Sequence, residues 1–231
     1  MAFFAISDLH LAGAKNKTMD RFGAKWVGHV EKLRLNWQKT VGSEDVVFMP
    51  GDLSWAMRWP DFLPDLAFIE HLPGSKVISK GNHDYYWLSG AKMTQLLPAS
   101  ITEIDRKILS FPDFTLAAIK GSLTPASPFF EDTVDARLYQ REKERLHLVL
   151  SQAQEMKKPL VLQMHYAPWA SPEEDGFGAI IEQYEVKLCI YGHMHGGEAW
   201  GYGQLKRGVT QYQLVAADYL DFTPLSLKEL L

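Results

Sequence analysis

The sequence predicts an α/β fold: one domain over residues 1–231 with two β-sheets and outer helices. Three observations predict it. Five short apolar runs each end in a small polar cluster: FFAIS before Asp8-Leu-His10, VVFMP before Gly51-Asp52, KVIS before Lys80-Gly-Asn82-His83-Asp84, PLVLQM before His165, and LCIY before Gly192-His193-Met-His195. Runs of that length, rich in Val, Ile, Leu and Phe, read as strands buried on both faces. Up to about residue 97 strand and helix patterns alternate, the rhythm of parallel crossover units. Between Ile101 and Ile119 the rhythm changes, and ITEID, KILSF and FTLAAI follow one another as short strands with no helix between them.

In chain order, residues 3–7 are the first strand. A helix is expected over Asp20–Thr40, where Phe22, Trp26, Val30, Leu33 and Trp37 recur every three or four residues. Val46–Met49 is the second strand, and Asp61–His71 a helix carrying Phe62, Leu66 and Ile69 that Pro73-Gly74 stops. Val77–Ser79 is the third strand, and Ser89 reads as the N-cap of a short helix to about Leu97. After the three short strands, GSLTPASPFFED (121–132) is loop-like, and a long helix runs over Val134–Lys157. Leu160–Met164 and Lys187–Tyr191 are later strands. Glu198–Leu205 and Val209–Val215 form a hairpin turning near Lys206-Arg207-Gly208, and the C-terminal segment suggests an edge strand.

Composition narrows the function classes. The formal charge is −4, from 24 basic and 28 acidic residues, and no basic stripe marks a nucleic-acid partner. Cys189 is the only cysteine, so no internal disulfide forms, and its place inside LCIY reads as a buried core thiol. The N-terminal apolar stretch is too short for a signal segment, and no run approaches the roughly 18 apolar residues of a membrane helix. The expected location is the cytoplasm, with no membrane partner.

The clusters carry the chemistry. Asp, His and Asn without Cys form an inventory for divalent metal ions, large enough for two. Asp8 and His10 are two residues apart, a spacing that in extended backbone puts both side chains on one face. Asp52 follows a glycine that permits a tight turn, and its two oxygens can bridge two ions. Asn82 offers a neutral carbonyl oxygen, and His165, His193 and His195 supply imidazoles. His29, His71 and His147 lie in helical stretches and read as surface or packing residues.

In this order, Asp-x-His, Gly-Asp, Gly-Asn-His-Asp, a single His and Gly-His-x-His resemble the signature of the calcineurin-like metallophosphoesterases, from Asp8 to His195. The strings GDLSWAM and GNHDYYW look like a small bacterial subgroup of predicted phosphohydrolases within that family. The resemblance implies the metallo-dependent phosphatase fold, a four-layer αββα sandwich of two mixed β-sheets flanked by helices. It implies one metal held by Asp8, His10, Asp52 and His195, and a second held by Asp52, Asn82, His165 and His193. It also implies His83 as a catalytic residue that is no ligand, acting as general acid, with Asp84 orienting its imidazole. Mn²⁺ is the preferred ion, with Fe or Zn²⁺ as alternatives.

The expected partner is a small phosphorylated metabolite or nucleotide. Trp55, Arg58, Tyr85, Tyr86, Trp87, Tyr166 and Trp169 follow the clusters, where the aromatics either stack on substrate or pack the loops, and Arg58 is placed to hold a second phosphate. Phe129-Phe130 is either a flap or packing. Arg137, Arg141 and Arg145 recur on one helix face, which reads as a solvated row, with reach to a substrate phosphate as the alternative. The competing readings are a catalytically silent binding protein of the same fold, a lipid-precursor pyrophosphatase and a nuclease.

Overall fold

The structure, a computed structural model, describes residues 1–13, 19–171, 173–197 and 203–231. Among these, two mixed sheets are stacked face to face with helices on both outer sides. In the first sheet β1 (Phe3–Ala5), β2 (Val46–Pro50), β3 (Ser75–Ser79) and β4 (Ile101–Glu103) run parallel. The C-terminal β11 (Leu225–Ser226) adds antiparallel to β1, giving the order β11-β1-β2-β3-β4 and the expected edge strand. The second sheet has the order β5-β6-β7-β8-β10-β9. There β6 (Thr115–Ile119), β7 (Leu160–Met164), β8 (Leu188–Tyr191) and β10 (Thr210–Leu214) are parallel, and β5 (Ile108–Ser110) and β9 (Gln204–Arg207) close the edges antiparallel.

The facing sides of the two sheets meet in an apolar layer that includes Ala5, Phe48 and Val77 against Leu116, Val161 and Ile190. Helices α1 (His29–Thr40), α2 (Trp59–His71) and α3 (Gly90–Leu96) cover the outer face of the first sheet with Leu33, Trp37, Phe62, Leu66 and Met93. Helices α4 (Asp132–Gln154) and α5 (Gly178–Gln183) cover the second with Leu146, Leu150, Ile180 and Ile181, packed on Leu162 and Tyr212. Each such side chain, fully buried, contributes about 1.5–3 kcal/mol. The result is the expected αββα sandwich.

The expected helix over 20–40 is shorter. Two 3-10 turns (Met19–Phe22 and Ala24–Trp26) precede α1, because Gly23 and Gly28 take left-handed backbone and break the α ladder. Helix α5 has no counterpart in the sequence reading, and residues 198–202 of the expected hairpin lie outside the described residues. No helix of the described residues is long and apolar enough to cross a membrane.

The two sheets are joined by backbone at one corner. Beyond β1, Ser7 forms a parallel bridge to Ala216 beyond β10. Ser7 N–H donates to Val215 O at 2.8 Å, and Ala217 N–H donates to Ser7 O at 2.9 Å. The polar clusters follow the C-terminal ends of the parallel strands at this same corner.

Candidate metal centre

Asp8 and His10 follow β1, Asp52 follows β2, Asn82 follows β3, His165 follows β7, and His193 and His195 follow β8. Both sheets therefore contribute. Asp8, His10, Asp52 and His165 are buried, Asn82 and His193 are half-buried, and His195 is the most exposed of the seven. One ligand atom each from Asp8, His10 and His195 lie within 4.8 Å of one another, and so do atoms from Asp8, Asp52 and His165. Asp52 faces both groups, with Oδ2 3.9 Å from His10 Nε2 and Oδ1 3.5 Å from His165 Nε2. Asn82 Oδ1 lies 2.6 Å from His165 Nε2 and 2.9 Å from His193 Nδ1.

The backbone turns sharply here. Asp8, His10, Asp52 and His193 all have positive φ, between 46° and 71°. Asp8 and His10 thus converge through left-handed turns, not through the extended backbone expected from their spacing. Left-handed backbone in non-glycine residues is uncommon and concentrates at functional sites. Gly51, at φ +87°, passes so close to the next loop that a Cβ on it would stand 2.5 Å from the Gly81 backbone. A Cβ on Gly81 would strike Asp52 itself. Glycine is required at both positions to let the two loops touch.

Supporting groups set the tautomers. His165 Nδ1 donates to Pro50 O at 2.9 Å, and His195 Nδ1 donates to Asp218 Oδ1 at 2.9 Å. A neutral imidazole has a single N–H. Once Pro50 takes it, the Nε2 lone pair of His165 faces the oxygen of Asn82. His10 Nε2 likewise lies 3.2 Å from His195 Nε2. Among the described residues, Asp52 Oδ2 and His10 Nδ1 are buried with no hydrogen-bond partner. Converging acceptors and an orphaned carboxylate oxygen are what divalent cations satisfy, so the donor set fits metal ions. Trp55 stacks on His10, with centroids 4.7 Å apart, and lies 4.5 Å from the His83 ring.

Burial and neighbouring charges move the protonation equilibria of these groups in both directions. Burial works against the Asp8 carboxylate, but the hydrogen bond and charge of His195 hold it below the usual carboxylate range. Burial, then the charge of Asp8, pushes Asp52 up to about 8. Burial lowers His10 and His165, and burial with the neighbouring His165 lowers His193 to about 3. These three imidazoles are therefore neutral and available as ligands at neutral pH. Burial opposes charge on His195, yet its hydrogen bonds to Asp218 and Asp8 raise it to about 10.

His83 sits beside this group, half-buried, its ring 5.8 Å from that of His10 and its backbone N–H donating to Asp52 Oδ1 at 2.8 Å. Asp84 corrects the sequence reading. Both its oxygens are engaged elsewhere: Oδ2 accepts from Asp52 N (2.9 Å) and Gly81 N (2.7 Å), and Oδ1 from Leu53 N (3.0 Å) and the Tyr86 hydroxyl (3.0 Å). It ties the loop after β2 to the loop after β3, and so positions Asp52 and Asn82. Arg58 is placed at the surface. It is exposed at the start of α2, its guanidinium 3.4 Å from Asp61, and no contact joins it to the metal cluster among the described residues.

The flanking aromatics divide. Tyr166 packs at the cluster, its ring 4.2 Å from that of His193. Tyr85 is exposed at the rim, its ring centroid 6.5 Å from that of His83. Tyr86 stacks on Phe62, and Trp169 packs on Tyr212, so both belong to the core. A cavity of about 440 Å³ opens beside His193 and His195, walled by Leu123, Phe129, Tyr166 and Met194. Phe129 lines it while largely exposed, whereas Phe130 packs on Tyr139. Asp218 and the Pro50 carbonyl are the functional groups that sequence reasoning missed, whereas Trp55, expected to stack or pack, packs on His10. Neither missed group carries a local signal, since each acts through a contact between distant segments.

A family model described as calcineurin-like phosphoesterase matches residues 1–197. No curated protein matches the chain. Among solved structures, a protein of unknown function from Aquifex aeolicus, AQ665, is 17% identical with a TM-score of 0.54, covering 99% of this chain and 96% of its own. The protein TT1561 of Thermus thermophilus is 12% identical with a TM-score of 0.58, over 97% and 96% of the two chains. A phosphopantetheinyl hydrolase from Mycobacterium tuberculosis is 12% identical with a TM-score of 0.51, over 93% and 88%. At these identities the likeness is one of fold.

Proposed function

Because the chain belongs to the calcineurin-like phosphoesterase family, we propose that it is a dinuclear metal-dependent phosphohydrolase acting on a phosphomonoester or phosphodiester of a small metabolite or nucleotide. The observation that carries this reading is the convergence of oxygen and nitrogen donors from both sheets, with Asp52 facing histidines of both sides. Asp8, His10, Asp52 and His195 would hold one ion, and Asp52, Asn82, His165 and His193 the other. Mn²⁺ is our preferred ion, with Fe or Zn²⁺ as alternatives. When bound, the pair supplies Lewis acidity for an in-line phosphoryl displacement.

The chain's own residues do the rest. Asp52 turns its two oxygens to the two histidine groups and keeps them in register. Pro50 holds His165 in the tautomer that leaves Nε2 free, and Asp218 orients the ring of His195 through Nδ1. His83, fixed through its backbone to Asp52 and flanked by Trp55, donates a proton to the departing alkoxide. Sparse cysteine, with the one thiol buried, supports a cytoplasmic location.

The test is hydrolysis of bis-4-nitrophenyl phosphate and 4-nitrophenyl phosphate by metal-stripped protein reloaded with Mn²⁺, Fe²⁺ or Zn²⁺. Turnover only with metal is expected. Full metal binding without turnover on any ester would identify a silent binding protein instead. His83→Ala should retain its metals and lose most turnover on alkyl esters, by about 10²–10⁴-fold, but far less on nitrophenyl esters, whose leaving group needs little protonation. Equal losses on both would remove His83 from the acid role.

A further inference from the structure

Behind Tyr166, five cations gather round a separate cavity of about 220 Å³: Lys80, Arg106, Lys120, Arg141 and Arg145. Lys80 follows β3 and Lys120 follows β6, whereas Arg141 and Arg145 come from successive turns of α4. Two buried carboxylates, Asp105 and Glu142, line the same cavity, but each is already paired. Arg106 Nε lies 3.0 Å from Asp105, and Arg145 is bonded to Glu142. Arg141 stands 4.0 Å from that same Glu142 oxygen, and Lys80 and Lys120 have no ion pair among the described residues. Five positive charges against two negative leave a surplus of three around a concave space.

Such a surplus is self-repelling unless an anion joins it, and arginine and lysine together suit phosphate. Burial holds the Lys120 ammonium below its ordinary value, a cost that an incoming anion relieves. The cavity borders the metal centre. Tyr166 N–H donates to Lys120 O at 3.0 Å, and the Lys120 ammonium lies 5.5 Å from the Tyr166 ring, which itself lies 4.2 Å from that of His193. Its volume fits one small anionic group.

We propose that this cavity is a second phosphate subsite, and that the substrate is a small bisphosphorylated compound with one phosphate here and the other at the metal centre. The substrate class rests on the hydrolase reading above; the subsite itself does not. Two of the three arginines on the α4 row thereby take the alternative role, reach to a substrate phosphate, that their spacing offered beside a solvated face.

The subsite is tested without metal. Calorimetric titration of the metal-stripped full chain with inorganic phosphate should show binding that Arg141→Gln and Lys120→Gln each weaken by about tenfold, the loss expected for one charge-assisted hydrogen bond. Arg141 is exposed, so its variant leaves the fold intact. The substrate class is tested on the Mn²⁺-loaded enzyme, with bis-4-nitrophenyl phosphate as reporter. Fructose 1,6-bisphosphate should compete about tenfold better than fructose 6-phosphate, and Arg141→Gln should erase most of that difference. Phosphate affinity unchanged in both variants would overturn the subsite, and equal competition by the two sugars would overturn the substrate class. If no nitrophenyl ester is cleaved, the hydrolase reading fails, and the phosphate titration still decides the subsite.

Discussion

Asp218 shows how much of this centre depends on single atoms outside the ligand set. Its carboxylate takes the Nδ1 proton of His195 and raises the basicity of the ring. Asp218→Asn keeps the shape but removes the charge, and metal affinity should fall by about 10–100-fold, read by competition with a chelator. Asp84 gives a sharper case, because two roles predict different outcomes. Its oxygens accept three backbone N–H groups and one hydroxyl. Asp84→Asn would turn an NH₂ group against those donors, so stability should drop by about 1–3 kcal/mol and metal content with it. If turnover alone fell while stability and metal content held, Asp84 would act through His83 after all. The seven candidate ligands were legible because each follows an apolar strand. Asp218 and the destination of Asp84's oxygens were not, since hydrogen bonds between segments 23 and 32 residues apart leave no periodic trace.

At the scale of elements, strands were easier to read than helix ends. Buried runs such as VVFMP and LVLQM have one interpretation, whereas the helical spacing over 20–40 hid two breaks at Gly23 and Gly28. Helix α5 escaped because six residues, GAIIEQ, are too few to display a 3.6-residue period. Lys76, in β3, shows another device that sequence conceals. Its ammonium is buried and donates to the carbonyls of Glu70 (3.2 Å) and Leu72, at the C-terminal end of α2. Those carbonyls have no partner within the helix, and a cation there also suits the helix dipole. Burial pushes the Lys76 amine down to about 8, from 10.5. Between those values the unfolded chain holds the proton more strongly than the folded one, so this residue's contribution to stability rises with pH from about 8 to 10.5. Thermal melts of wild type and Lys76→Met at pH 7 and pH 10 should show the wild type gaining on the variant at the higher pH. A gap that narrows with pH would refute the assignment.

Over the whole molecule, metal binding at the candidate centre would be coupled to the packing of the two sheets. Ligands come from β1, β2 and β3 on one side and from β7 and β8 on the other, so ions that bind only the folded arrangement oppose separation of the layers. At a metal concentration of 100 times the dissociation constant, one site should add about 2.7 kcal/mol. A chelator should therefore lower the melting temperature, and metal titration should restore it in a concentration-dependent way. An unchanged melt would show that the donors do not bind metal in the folded chain. Gln163 of β7 ties the layers within, its amide donating to Ser79 Oγ of β3 at 2.8 Å.

The bridge between Ser7 and Ala216 carries one more consequence. A stack clasped by main chain at one corner opens like a book, with its spine beside the ligands and its pages parting at the opposite margin. Deuterium should then enter first at the far end of the strands, and the amides of Ser7 and Ala217 should be among the last to exchange. Opening of the far margin alone would disturb the candidate ligands beside this bridge least.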